Sequence, residues 1–199
     1  MHKILRLLFL TVLLAPNLTS FAEAASKILP KQARNMSPVK VRQIYSEHTW
    51  DWDTGGAYFA KDGTFYATSG AGETLSTAAG RWLVTPGGRL CFFADWLTKN
   101  SVSRNVKTCF NHAEYKGQYF QAKDMSGKWY VIKSAKPQSN DMVNKIKSGD
   151  KVACQFLASE KKLKRTLTSI RVARAAKRGI CNSVFPAKAK IASQQCIQL

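Results

Sequence analysis

From Thr49 onward, aromatic and aliphatic residues alternate with small or polar ones, and glycine-containing turns recur at short intervals. Strict alternation marks half-buried strands, because successive side chains point to opposite faces of a sheet. The clearest unit runs from Gly56 to Thr68, where Asp62-Gly63 separates two β-prone runs. Asp-Gly is a strong hairpin signal, since both residues tolerate positive φ. A second unit spans Gly80 to Ala94, punctuated by Pro86-Gly87-Gly88, and a third spans Gln118 to Ile132 around Gly127. Asn105 to His112 supplies a further strand between them. About seven short strands between Gly56 and Lys133 predict a mainly β fold, an antiparallel meander or small up-and-down β-barrel. Residues 47–134 are taken as that domain.

The flanks have a different texture. Residues 25–46 carry Lys27, Pro30, Lys31, Arg34, Pro38 and Lys40 and read as an irregular leader, with one short turn of helix near Val39–Tyr45. Residues 135–199 read as a basic, partly helical C-terminal extension. Ser139–Lys147 has an N-cap candidate and a Gly149 stop, which predicts a short helix. Lys151–Leu157 is assigned to a strand. Ser159–Arg178 reads as a cationic helix, because Leu163, Leu167 and Ile170 recur at helical spacing. The β-prone centre Thr166–Val172 keeps a strand as the alternative.

The N-terminus adds a destination. Lys3 and Arg6 precede a brief apolar run, Leu7–Ala15, and Ala22-Glu23-Ala24 supplies a small-x-small cleavage pattern. That layout is a secretory signal peptide over residues 1–24, cut after Ala24. An uncleaved anchor is disfavoured because Pro16 and Asn17 interrupt a run already shorter than the roughly 20 apolar residues a span needs. The expected location is periplasmic or secreted.

Charge narrows the partners. The formal net charge is +19, and the segment removed holds only Lys3, Arg6 and Glu23. So large an excess attracts anionic surfaces at low salt, among them lipid headgroups, lipopolysaccharide and acidic polymers. Export makes nucleic acid an improbable natural partner. Lys161, Lys162, Lys164, Arg165, Arg171, Arg174, Lys177 and Arg178 are the anionic-surface candidates. The plainer assignment for such a run is a solvated face, with peripheral membrane contact as the functional one.

Five cysteines lie beyond the signal: Cys91, Cys109, Cys154, Cys181 and Cys196. Pairing is the default in an oxidising compartment, and an odd number leaves one over. Cys91 and Cys109 sit on neighbouring strand candidates and are expected to pair as a structural disulfide. Cys181–Cys196 is a further possibility, with Cys154 to either as a rival. No Cys-x-x-Cys occurs, so neither a zinc knuckle nor a thioredoxin-type centre is indicated.

Trp50 and Trp52 lie two apart and would share one face of a strand. With Tyr58, Phe65, Trp82, Trp96 and Trp129 they could wall a ligand cavity, since aromatic rings offer large rigid contact area. The simpler assignment is that they fill the barrel. His48 lies near Asp51 and Asp53, and His112 near Glu114, a set that could ligate metal or run acid–base chemistry. No HExxH or nucleophile-elbow motif supports that use, and solvated or hydrogen-bonded histidines are the expected outcome. Gly55-Gly56 and Gly70-Ala71-Gly72 lack the strand–glycine–helix context of a phosphate loop. No cofactor or metal is expected.

The string Thr49-Trp50-Asp51-Trp52, then Gly55-Gly56-Ala57-Tyr58-Phe59, Asp62-Gly63 and Phe65, continues with Ala79-Gly80-Arg81-Trp82, Gly88-Arg89-Leu90-Cys91-Phe92, Cys109-Phe110, His112 and Trp129-Tyr130. In order and spacing this resembles the domain of unknown function 995 family, small exported proteins found chiefly in alphaproteobacteria, over about residues 47–134. The resemblance implies a Gram-negative envelope location and makes the Cys91/Cys109 pair a family feature. It transfers no catalytic residues. The expected function is a non-enzymatic binding module of the envelope, favouring an anionic envelope ligand. The alternatives are a module that docks on or inhibits a periplasmic protein and, less favoured, a His/carboxylate hydrolase.

Overall fold

A computed structural model describes residues 28–124 and 126–178, the last eight as backbone only. Residues 1–27 and 179–199, with Cys181 and Cys196, lie outside the described residues. Ten strands form one antiparallel sheet that curls into a half-barrel, accompanied by two helices. The strands are β1 (Arg34–Asn35), β2 (His48–Trp52), β3 (Gly55–Phe59), β4 (Thr64–Ser69), β5 (Ser76–Val84), β6 (Leu90–Thr98), β7 (Val102–Tyr115), β8 (Gln118–Lys123), β9 (Trp129–Lys133) and β10 (Ile146–Ser148). The helices are α1 (Pro38–Tyr45) and α2 (Ala153–Arg178). Strand order is β10-β2-β3-β4-β5-β6-β7-β8-β9, with β1 attached to β7. From β2 to β9 every neighbour in space is a neighbour in sequence, as the recurring turns predict.

The turns follow their chemistry. At the Asp62-Gly63 hairpin, Gly63 adopts φ +87°, and the Asp62 carboxylate accepts from the Thr64 N–H at 2.8 Å. Gly88 in the next hairpin has φ +76°, and any Cβ there would stand 2.0 Å from the Met36 carbonyl oxygen. That turn is therefore closed to every residue but glycine. Where β6 meets β7 the register shifts between Ala94 and Trp96, and Asn105 adopts φ +47° while its N–H donates to Asp95 at 2.8 Å. A bulge of this kind bends the sheet and increases its twist.

The leader is more ordered than its composition implies. Arg34 and Asn35 pair with Glu114 and Ala113, extending the sheet beside β7. α1 starts at Ser37, whose hydroxyl accepts from the Lys40 N–H at 3.3 Å, with Pro38 in the first turn. Proline suits that position because its fixed φ is helical and its missing N–H is not needed. α1 buries Val41 and Tyr45 in the same cluster as Met36, Phe59, Phe65, Trp82, Leu90 and Phe92. It plugs one end of the concave face.

Two assignments in the C-terminal part are corrected. Ser139–Lys147 is not a helix: a 3-10 turn covers Met142–Lys145, and Ile146–Ser148 pair with His48–Trp50 as β10. Within that span Asp141 accepts from the Ser134 and Gln138 backbone N–H groups and the Ser134 hydroxyl, which fold the segment back on itself. Lys151–Leu157 is not a strand, because α2 begins at Ala153. Asp150 caps it, accepting from the Val152 and Ala153 N–H groups at 3.0 Å each, and also receives the Tyr66 hydroxyl. Of the two assignments for Ser159–Arg178, helix prevails. Phe156, Leu163 and Leu167 are buried along one side of α2, and Phe156 and Val152 pack with Tyr66 on the convex face of the sheet.

Candidate functional site

The interior of the half-barrel divides. Under α1 it is filled; towards the edges β9 and β10 it is hollow. The hollow has a volume of about 380 Å³ and is walled by Trp50, Trp52, Phe59, Phe65, Phe92, Trp96 and Phe110, with Tyr130, Met142 and Lys145 among the remaining lining residues. Strand alternation explains the lining. Trp50 and Trp52 share one face of β2, Phe92 and Trp96 share one face of β6, and each set points inward. The rings meet edge to face: Trp50 and Trp52 stand 6.3 Å apart at 87°, and Trp50 and Phe110 5.3 Å apart at 70°. Such geometry suits aromatic quadrupoles and leaves ring faces available to a guest.

The opening coincides with the one seam in the sheet. β9 and β10 are not hydrogen-bonded to each other, and residues 134–145 cross between them. Asp141 ties that crossing segment together, and its carboxyl lies below the ordinary range, chiefly because the Gln138 N–H donates to it. Met142 and Lys145 thereby face the hollow. Lys145 pairs with Asp53 at 3.0 Å, and the Asp53 side chain is 90% exposed. An ion pair that exposed contributes little, so the Lys145 ammonium is free to turn to another anion.

A polar cluster borders the hollow. The Gln121 amide donates to the Tyr45 hydroxyl at 2.8 Å and approaches His112 Nε2 at 3.0 Å. Tyr45 Oη lies 3.0 Å from the same nitrogen. The Tyr130 hydroxyl donates to Gln121 Oε1. His112 is 1% exposed and its pKa falls to about 4, because burial disfavours the imidazolium. The carbonyls of Phe110 and Gly88 oppose that fall, although Nδ1 has no hydrogen bond of full geometry. The Tyr130 phenol is pushed up to about 12 by burial.

The sequence candidates sort as follows. Trp50, Trp52 and Trp96 wall the hollow. Trp82 fills the core at 3% exposure, its indole N–H donating to the Ala60 carbonyl at 2.8 Å. Tyr58 packs with Tyr66 on the convex side, and Trp129 lies on the face of β9 opposite Tyr130. Cys91 and Cys109 face each other in register and are bonded. They sit on the convex face, one residue out of phase with Phe92 and Phe110. Lys161, Lys162, Lys164 and Arg165 are exposed on α2, whereas the side chains of Arg171, Arg174, Lys177 and Arg178 lie outside the described residues. His48 bonds the Ser46 carbonyl at 2.6 Å, so the two histidines serve different local networks. Among the described residues, no group of three His, Cys, Asp or Glu side chains is gathered as a metal site requires.

Sequence reasoning did not single out Tyr130, Met142 or Lys145. For Tyr130 the signal was available: it neighbours Trp129 in a strand, so one of the two had to face inward. Met142 and Lys145 reach the hollow only through the crossing segment, which local patterning misassigned.

No curated protein and no solved structure matches this chain. The family model described as "Protein of unknown function (DUF995)" matches residues 11–152. That span reaches beyond the stretch read from motifs and takes in the crossing segment, β10 and the approach to α2. By this match over most of its length, the chain belongs to that family of unknown function.

Proposed function

We propose that the chain is an exported, non-enzymatic binding module of the bacterial envelope, taking an anionic ligand whose apolar part enters the half-barrel. The observation that carries this reading is the aromatic-walled hollow at the seam, with the Lys145 ammonium at its rim. Ligand sites are characteristically concave, mostly apolar and furnished with a few placed polar groups, in volumes of about 300–1,000 Å³. The net charge of +19 supports an anionic partner. The exposed Lys161, Lys162, Lys164 and Arg165 support approach to anionic lipid surfaces, as cationic helix faces do. The leader-like N-terminus supports export.

Tryptophan emission of the full chain tests the site, with octanoate and octyltrimethylammonium as matched probes. Saturable quenching or a blue shift with octanoate, but not with the cation, is expected. An equal response to both, or none to either, overturns the proposal. Lys145→Gln is expected to weaken octanoate while leaving folding intact.

A further inference from the structure

We infer that the hollow recognises a ligand carrying a hydrogen-bond donor, a hydroxyl or N–H on an apolar body, and that the Tyr130 oxygen is the acceptor that reads it. This rests on the ligand-binding reading above and specifies its chemistry. The inference follows from a chain of fixed hydrogen-bond directions. The Gln121 amide nitrogen, which can only donate, stands 3.0 Å from His112 Nε2, so Nε2 is a bare acceptor.

Two groups stand 3.0 Å from Nε2: the Tyr45 hydroxyl and the Gln121 amide. Both therefore turn a proton to it and share its single lone pair. The Gln121 NH₂ uses its other proton on the Tyr45 oxygen at 2.8 Å. With its nitrogen committed, Gln121 must present Oε1 to Tyr130, and the Tyr130 hydroxyl donates its single proton there. Gln121 is 0% exposed and His112 is 1% exposed, so water offers no alternative arrangement deep in this cluster.

Tyr130 is different, being partly exposed on the lining of the hollow. Its proton is spent inward, and what it offers outward is a phenolic lone pair. A ligand that brings only acceptors, such as an ether or ester oxygen, finds no donor at this point. A hydroxyl or amide N–H does find an acceptor. The nearby Lys145 ammonium donates only and sits at the rim, so the two polar groups ask for opposite things: an anion outside and a donor within.

The test compares octanoate, 3-hydroxyoctanoate and 3-methoxyoctanoate by tryptophan emission on the full chain. One neutral hydrogen bond predicts that the hydroxy acid binds about fivefold tighter than octanoate. The methoxy acid, which cannot donate, gains nothing over octanoate. Tyr130→Phe is expected to erase the hydroxy preference, so that the hydroxy acid and octanoate bind alike. Equal affinities for the hydroxy and plain acids, a methoxy acid as tight as the hydroxy acid, or a preference that survives Tyr130→Phe would overturn the inference and leave the binding site standing. No binding of any of the three acids removes both. The ligand series on the parent protein decides the question even if the variant fails to fold.

Discussion

Two ends of one concave face are built from the same residue types, yet one is solid and the other hollow. At the closed end α1 lays Val41 and Tyr45 across Phe59 and Trp82, and each of these is 3% exposed or less. At the open end Trp50, Trp52 and Trp96 come from the same alternation but are only partly buried. What differs is the cover. A helix with an apolar side seals one end, whereas a 3-10 turn held by one carboxylate spans the other. Aromatic richness therefore does not by itself distinguish core from site; the element lying over the rings does.

The largest expected effect lies in the solid half. Trp82→Ala deletes a fully packed ring and should cost about 4 kcal/mol of stability, in the range for aromatic core truncations. Chemical denaturation reads this directly, and a loss below about 1 kcal/mol would mean that the closed end is not the core described. Next comes the cross-link outside that face. Cys91→Ala with Cys109→Ala opens a loop whose ends lie 18 residues apart, predicting a loss of about 3 kcal/mol on the loop-entropy model. Octanoate affinity should change little once folding is corrected for, because both sulfurs face away from the hollow.

The boundary between the halves is His112, and pH should expose it. Its pKa is about 4 in the fold against 6.5 ordinarily. Between those values the unfolded chain takes up a proton that the folded chain refuses. Stability from this group is therefore complete above pH 6.5, falls as pH drops towards 4, and is level below that. The total change is up to about 3 kcal/mol. Urea midpoints measured across that window should slope for the parent and be flatter for His112→Gln; identical slopes would remove the buried neutral imidazole. The smallest stability effect belongs to the hollow half. Trp52→Ala should cost about 2 kcal/mol, less than Trp82→Ala because part of its ring already meets water, yet weaken octanoate binding about tenfold, as truncated tryptophan anchors do. A large stability loss there would erase the contrast.

Much of the architecture was legible in the sequence because it is local. Asp62-Gly63 and Pro86-Gly87-Gly88 close hairpins whose register follows from alternation, and Cys91 and Cys109 fall opposite each other once that register is set. What was hidden depends on distant partners. Ile146 is a strand residue only because Trp50 is there to pair with it. The role of Asp141 shows only once Ser134 and Gln138 are seen to claim both of its oxygens. The alternation of β7 did not say whether His112 would be solvated or hydrogen-bonded; that Tyr45 and Gln121 are its partners required α1 to be placed on the sheet. Four of the seven candidate aromatics, Trp50, Trp52, Phe65 and Trp96, reached the hollow, because alternation assigns a face to each residue but not which face will be roofed.

In a fully closed barrel the bore is dictated by strand number and stagger. Here the ladder stops at β9 and resumes at β10, so the gauge of the interior is set by the length of a crosspiece, residues 134–145. Lengthening or trimming that crosspiece would resize the chamber while leaving the β2–β9 ladder its own hydrogen bonds.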